Sequence, residues 1–478
     1  MLPKNVQLIA RRIIDVGHQC FIVGGAVRNH LLNLPVKDYD LVTSMRPDQL
    51  QDLFKDQDCN LVGKSFGVVI VNGNEIATFR RDVYSADRMR VTGCDTIEFA
   101  DTIEEDLSRR DFTINSIANE LIIKDNEITT GKYVTATNTC FEDVHDGLIR
   151  FVGNGLKRIE EDPLRAIRAF RFAGLMAFNN GGLQDDAMAA IKAQWPRLFP
   201  VIAKERIQKE IMKIMELPKP SYAFNEMLRC SNNVLWDTCK PLADCIGTEG
   251  GHMHSETVFE HCLAACDAVS PKYPLLRLAA MLHDCGKPST KTIEGDMTHF
   301  YGHESIGSDL VEIWMSELRF SINDISKVSE LVRKHMFYFE EISKDSTFRR
   351  FMSNLKYNTW RDVLRIRIAD RRGNKRKQGW NLPYMFKHVV ERLRKIEKDN
   401  QALKISDLIV NGNDLIKMGF TPGPMFKVIL NDILDKVIEQ PEFNLDKNAI
   451  IEYIHITYIE GEKQCQKSTE KTLDTVTL

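Results

Sequence analysis

The sequence predicts an α+β protein, with a mixed head over residues 1–140 and a remainder that is helical throughout. Three observations carry that expectation. Short β-rich runs, DYDLVTS, FGVVIVNG and EIATFR, are separated by turn signals in the first 130 or so residues. From about residue 157 the apolar residues fall at helical spacing, as in LKRIEEDPLRAIRAFRFAGLMAF, and almost every later segment reads the same way. The chain has 478 residues, 43% hydrophobic and 27% charged, which is the profile of a globular protein too long for one ordinary domain.

Taken in order, Val6, Ile9, Ile13, Ile14 and Val16 predict a helix over 5–17, and CFIVGGAV a buried strand that ends in a turn. A helix through Leu31 and Leu32 follows, then the strand DYDLVTS. The segment SRRDFTINSIA, residues 108–118, reads as charged residues opening a helical pattern. The stretches MELPKPSY and IGTEGGHMH mark later boundaries. The expected divisions are a head (1–140), a helical neck (141–245), a histidine-rich domain (246–380), a helical tail (381–462) and a polar, disordered end (463–478).

The net charge of −3 gives no overall basic field, so any contact with nucleic acid is expected to be local. Eleven cysteines without a CxxC spacing argue against a zinc ribbon or a disulfide framework and for a reducing, cytoplasmic setting. The N-terminal stretch is broken by Arg11, Arg12 and Asp15, and no run approaches the roughly 18 apolar residues of a membrane span. Neither a signal peptide nor a membrane partner is expected.

The stretch GGAVRNHLLNLPVKDYDLVTS, residues 24–44, concentrates the chemistry of the head. Side chains two apart on a strand share a face, so Asp38 and Asp40 are expected to point together, with Tyr39 opposite. Two carboxylates held together repel unless cations neutralise them, which suits a pair of Mg²⁺ ions carrying a triphosphate. Gly24 and Gly25 let backbone approach phosphate, and Arg28 follows on the first turn of the helix. Glu75, on another predicted strand, is the candidate third acid.

In EDPLRAIRAFRF, Pro163 suits a first helical position with Asp162 as its cap, which alone explains Asp162. Asp162 and Arg165 together also offer an acceptor and a donor able to read a base edge. Both readings stand at this level. Arg165, Arg168 and Arg171 recur as a basic stripe, the expected local face for RNA.

These segments, GGAVRN, KDYDLVT, RRDFTIN, EDPLRAIRAFRF and KERIQKEI, occur in an order that resembles the class II tRNA nucleotidyltransferases, the CCA-adding enzymes, and the related bacterial poly(A) polymerases. The resemblance spans nearly the whole chain. It implies a polymerase-β-type nucleotidyltransferase head in which Asp38 and Asp40 bind Mg²⁺ and Glu75 is the third acidic residue. It implies that Gly24, Gly25 and Arg28 hold the triphosphate. Arg109, Arg110 and Asp111 match the motif tied to ribose recognition, with Asn115 and Arg168 counted among the nucleotide-binding residues. Glu161, Asp162 and Arg165 match the protein template that chooses CTP or ATP. Where that family usually reads VRD, this chain has Val27, Arg28 and Asn29. The run from Arg81 to Asp106 resembles the family's flexible loop, linked to switching from CTP to ATP.

Seven of the twelve histidines lie between His252 and His335, a concentration that points to metal ligation. His261, His283, Asp284, His303, His335 and Asp370 follow an order that resembles the HD phosphohydrolase superfamily. The resemblance implies an all-helical domain holding one or two divalent metals, of unspecified identity, that activate water against a phosphate ester. Some bacterial CCA-adding enzymes are similar in carrying such a domain, with phosphatase and 2′,3′-cyclic phosphodiesterase activity. The segment ALKISDLIVNGNDLIKMGFTPGP resembles their tail, which implies contact with the tRNA elbow. The expected function is template-independent CCA addition to tRNA from CTP and ATP, with phosphohydrolase repair of the 3′ end as a second activity. The alternatives are a poly(A) polymerase, or an HD phosphohydrolase with a nucleotide-sensing head.

Overall fold

A computed structural model of the chain describes residues 2–62, 67–83, 96–177, 181–251, 254–340, 342–377, 382–399 and 401–460. They form two compact units: residues 1–332 with 369–376, and residues 333–368 with 377–478.

The first unit opens with α1 (Lys4–Asp15), which buries Val6, Ile9, Ala10 and Ile13 along one stripe. There follow β1 (Cys20–Val23), α2 (Gly25–Leu31), β2 (Asp40–Thr43), α3 (Pro47–Leu53), β3 (Cys59–Val62), β4 (Val68–Val71), β5 (Asn74–Thr78), β6 (Arg80–Val83), β7 (Thr96–Phe99), α4 (Ile103–Ser108), β8 (Ile117–Lys124) and β9 (Glu127–Thr135). Seven strands make one sheet in the order β3-β4-β5-β2-β1-β8-β9, and β6 pairs with β7 separately. All four residues of β1 are buried, as expected of a strand with neighbours on both sides. Phe21, Val23, Val42, Phe79, Ile103, Leu107 and Ala118 form a core on one face of this sheet.

Two expectations are corrected here. The chain after RRD is not helical: a short 3₁₀ turn, Thr113–Asn115, leads into β8, because the apolar residues that follow pair with β1 on one side and β9 on the other. Asp38 is not on a strand. The β1–β2 ladder ends at Val23 opposite Asp40, so the chain before Asp40 has no partner strand and Asp38 lies on its irregular approach.

Helices follow: α5 (Cys140–Asp146), α6 (Gly155–Glu161), α7 (Leu164–Met176), α8 (Asp185–Leu198) and α9 (Lys204–Met215). Asn154 caps α6 by accepting the Lys157 amide at 3.1 Å, and Pro163 separates α6 from α7. α7 is buried along most of its length and sets Phe172 edge-on against Phe112 of the head, 5.4 Å between centroids. Further along, the buried Arg277 donates to the carbonyls of Val269 at 2.7 Å, Met215 at 2.8 Å and Pro218 at 3.1 Å, and also to that of Leu217, tying the end of α9 to the next helices.

Those next helices include Val258–Ala268, Pro274–Leu282 and His303–Glu317, and the end of Trp360–Gly373. A Cβ on Gly373 would lie 2.7 Å from the Ala265 amide nitrogen, so glycine is what lets that end close in on Val258–Ala268.

In the second unit, Val410, Leu415, Ile429, Ile433, Val437, Ile450 and Ile454 form the core. The NGNDL segment gains a local explanation. Asn411 accepts the Asn413 amide at 2.9 Å, Asp414 accepts the Asn411 amide at 3.0 Å, and Leu415 is buried, so the segment is a capped helix start. The polar end, residues 463–478, and residues 84–95 of the expected flexible loop lie outside the described residues. No helix among the described residues is long and apolar enough to cross a membrane.

Candidate active site and metal centre

Val23 pairs with Asp40, so the turn that leaves β1 at Gly24 sits beside that carboxylate. Gly24 has φ +66°, and a Cβ there would lie 3.3 Å from Arg110 Nη1. Asp38 and Asp40 are both exposed. The protein packed around Asp40 and the charge of Asp38 nevertheless push its carboxyl above the usual range, against the pull of Arg110. Two mutually repelling carboxylates beside an accessible turn fit a site for hard cations with oxygen ligands.

β2 and β5 run parallel, with Leu41 opposite Ile76. Extending that register by one residue sets Glu75 alongside Asp40, but Glu75 is exposed and the three acids do not gather their ligand atoms within 4.8 Å of one another. Neighbouring strands keep backbones about 4.8 Å apart, and the longer Glu side chain reaches into solvent.

Arg28 is buried. Its guanidinium donates to Asn29 Oδ1 at 2.9 and 3.2 Å and to Asn115 Oδ1 at 2.6 Å, while Asn29 Nδ2 donates to the Pro35 carbonyl at 3.1 Å. Both side chains that hold it are neutral amides. Burial, with the charge of Arg171 and against that of Asp111, lowers its pKa to about 10. Asn29 therefore keeps the brace that a carboxylate would give and leaves the cation without a counter-charge from that position.

Asp106, fully buried, holds Arg109 at 2.8 Å and Arg110 at 3.0 Å. Burial raises its carboxyl, but the charges of Arg110 and Arg109 outweigh it and keep the carboxyl below its ordinary range. Asp111 pairs with Arg168 at 2.6 Å and accepts the Phe112 amide at 2.9 Å.

Glu161 takes Arg165 at 2.7 Å and Arg158 at 2.9 Å, and Arg165 also donates to the Arg109 carbonyl at 3.1 Å. Asp162 accepts the Leu164 amide at 3.1 Å, as a cap does, and its salt bridge is to Arg206, 3.0 and 2.7 Å through both nitrogens of the fork. Arg165, Arg168 and Arg171 do not form an outward basic face. Arg168 meets Asp111, and Arg171 meets the buried Glu210 at 2.6 Å, because α7 packs its arginines against carboxylates of the head and of α9.

The second cluster lies among the later helices. His261, His283 and Asp370 bring ligand atoms within 4.8 Å of one another. His261 Nε2 stands 3.2 Å from His283 Nε2 and 3.2 Å from Asp370 Oδ1, and Asp284 lies 3.3 Å from His283 Nε2 and 3.3 Å from His303 Nε2. His283 Nδ1 donates to the Ala280 carbonyl at 2.8 Å and His303 Nδ1 to that of Phe300 at 2.8 Å. A carbonyl can only accept, so each bond fixes a tautomer whose Nε2 lone pair faces the cluster. Lone pairs and carboxylates converging on one buried space fit a divalent cation.

Burial opposes a charge on His261, but the nearby carboxylates of Asp370, Glu256 and Asp284 push its pKa up to about 10. Lys287 Nζ lies 2.6 Å from Asp284 Oδ2. His335 belongs to the second unit.

Sequence reasoning missed Asp106, Arg206, Glu210 and Glu256. Glu256 is buried, takes His254 at 3.0 Å and stands 3.5 Å from His261 Nδ1, while Lys375 N donates to it at 3.3 Å. KERIQKEI was visible as a motif, yet nothing in it names a partner for Arg206 or Glu210.

Comparison with known proteins finds the same two parts. Residues 20–150 match the Poly A polymerase head domain and residues 252–375 the HD domain. A CCA-adding enzyme of Ligilactobacillus salivarius is 34% identical over 246 residues, 50% of this chain and 55% of that protein, so the match spans about half of the relative's length. One from Levilactobacillus brevis is 26% identical over 452 residues, 91% of this chain and 94% of that protein. The crystal structure of the Bacillus stearothermophilus CCA-adding enzyme in complex with CTP aligns with a TM-score of 0.63 at 22% identity, covering 97% of this chain and 100% of that chain. The chain joins a poly A polymerase head domain to an HD domain and is a homologue of the CCA-adding enzymes, with their fold.

Proposed function

We propose that this protein adds C, C and A in turn to the 3′ end of tRNA from CTP and ATP, without a nucleic-acid template. The observation that carries the reading is the placement of Asp40 beside the Gly24 turn, with Arg110 against the same glycine. Two Mg²⁺ ions held by Asp38 and Asp40 would supply activation of the 3′ hydroxyl and charge neutralisation at the α-phosphate. Gly24, Gly25 and Arg28 hold the triphosphate, and Arg109, Arg110 and Asp111 orient the ribose. Asp162 and Arg165 read the base: cytosine and adenine both present an exocyclic amino donor next to a ring-nitrogen acceptor, which a carboxylate and a guanidinium complement.

The HD cluster acts as a metal-dependent phosphohydrolase on 3′-terminal phosphate or 2′,3′-cyclic phosphate, preparing ends for extension. Imidazoles and carboxylates suit Mn, Ni, Co or Fe as well as Mg. Residues 381–462 grip the tRNA elbow. The nine described cysteines are all free thiols, which supports a cytoplasmic setting.

The test gives purified protein and Mg²⁺ three tRNAs, lacking CCA, lacking CA and lacking A, with CTP and ATP singly and together, and resolves products to one nucleotide. Extension that stops at CCA and disappears in Asp38→Ala and Asp40→Ala supports the reading. A long adenosine ladder would establish a poly(A) polymerase instead. Nucleotide binding without extension, beside phosphatase activity, would mean a sensing head on an HD hydrolase.

A further inference from the structure

The motif KERIQKEI, residues 204–211, has no role in the function proposed above. It forms the first two turns of α9, where Arg206 and Glu210 stand one turn apart. Glu210 takes Arg171 at 2.6 Å and Lys213 at 3.1 Å, with Arg168 at 3.9 Å. Arg206 grips Asp162 through Nη1 to Oδ1 at 3.0 Å and Nη2 to Oδ2 at 2.7 Å.

An ionised carboxylate rotates broadly about its last torsion and has two acceptor positions on each oxygen. A planar guanidinium bonded to both oxygens removes that rotation. Asp162 Oδ1 takes Arg206 and also the Leu164 amide at 3.1 Å, which fills both of its positions. Oδ2 takes Arg206 and keeps one acceptor position.

We infer that Arg206 is a positioning residue for nucleotide choice: it fixes the plane of the Asp162 carboxylate and leaves a single acceptor direction, on Oδ2, for the amino group of the incoming base. The inference rests on the proposed reading of Asp162. Uracil carries a carbonyl oxygen where cytosine carries the amino group, so a fixed acceptor rejects it, whereas a freely turning carboxylate rejects it less well. A lysine supplies the charge without the two-point grip.

The experiment measures CTP and UTP binding by calorimetry on the full chain, together with kcat and KM for the first addition, for the unchanged protein, Arg206→Gln, Arg206→Lys and Asp162→Ala. The expected result is a fall of about tenfold or more in the CTP-to-UTP preference for Arg206→Gln, the scale of one lost base-reading contact. Arg206→Lys should recover melting temperature but not the preference. A preference kept within twofold in both folded Arg206 variants, while Asp162→Ala loses it, overturns the inference and leaves the reading of Asp162 intact. Equal binding of CTP and UTP by the unchanged protein, or a preference that survives Asp162→Ala, overturns both.

Discussion

Asp111 of the head and Arg168 of α7, 57 residues apart in the sequence, form an ion pair at 2.6 Å. The pair joins the RRD segment of the head directly to α7 (Leu164–Met176). Burial raises the Asp111 carboxyl, but the charges of Arg168 and Arg165 and the Phe112 amide win and hold it below the usual range. A depressed carboxyl stabilises the fold fully above its unfolded value of about 4, and loses that contribution as pH falls through the folded value. Arg168→Met should therefore cost about 3 kcal/mol near neutrality, the scale of a broken buried pair, and move the acid limb of unfolding to higher pH. Urea titrations from pH 3 to 7 check both; unchanged acid limbs would mean that the pair contributes nothing.

Asn29 holds Arg28 without neutralising it. Asn29→Asp should replace a neutral acceptor of two Arg28 hydrogen bonds by a charged one, raise the KM for nucleotide severalfold and leave the melting temperature equal or higher. Initial-rate kinetics beside thermal melts would show it, and a lowered KM would contradict the role given to Arg28.

Gly24 joins β1 to α2 at φ +66°, where a Cβ would also press on Arg110 at 3.3 Å. Gly24→Ala should cost about 1–2 kcal/mol from the left-handed backbone alone. It should also weaken triphosphate binding more than Gly17→Ala, whose glycine has φ +85° but open space around it. Comparing CTP affinity in the two variants separates backbone strain from the push on Arg110.

Glu256 Oε1 stands 3.5 Å from His261 Nδ1, while His261 Nε2 faces His283 and Asp370. Glu256→Gln should weaken Mn²⁺ binding about 10–100-fold, as loss of a carboxylate behind a metal-bound imidazole does. Nucleotide addition by the head should stay unchanged. Calorimetric titration with Mn²⁺ alone reads the first effect, and Asp284→Asn, which removes the carboxylate that stands 3.3 Å from both His283 and His303, should abolish the binding. Equal Mn²⁺ affinity in Glu256→Gln would remove Glu256 from the site.

Local rules made much of this legible. The stripe Val6, Ile9, Ile13 announced α1, four apolar residues before two glycines announced β1 and its turn, and Pro163 after Asp162 announced a helix start. The helical reading of the chain after RRD failed because an apolar run does not reveal whether neighbouring strands lie beside it, and β8 has two. Asp38 was placed on a strand for the same reason: where a ladder ends depends on the partner's last residue, here Val23.

The sequence by itself determined which side chains are present: two aspartates two residues apart after a glycine pair, an Asp and an Arg around Pro163, and a concentration of histidines with an Asp whose order resembles the HD superfamily. These follow from side-chain type and order along the chain, which are local properties. Only the tertiary structure decided the partners. Arg206 rather than Arg165 holds Asp162, Glu210 and Asp111 turn an apparent RNA-binding stripe inward, and Glu256 stands behind His261. A buried charge needs its counter-charge within a few ångströms, and no local period says which distant residue the fold will bring there.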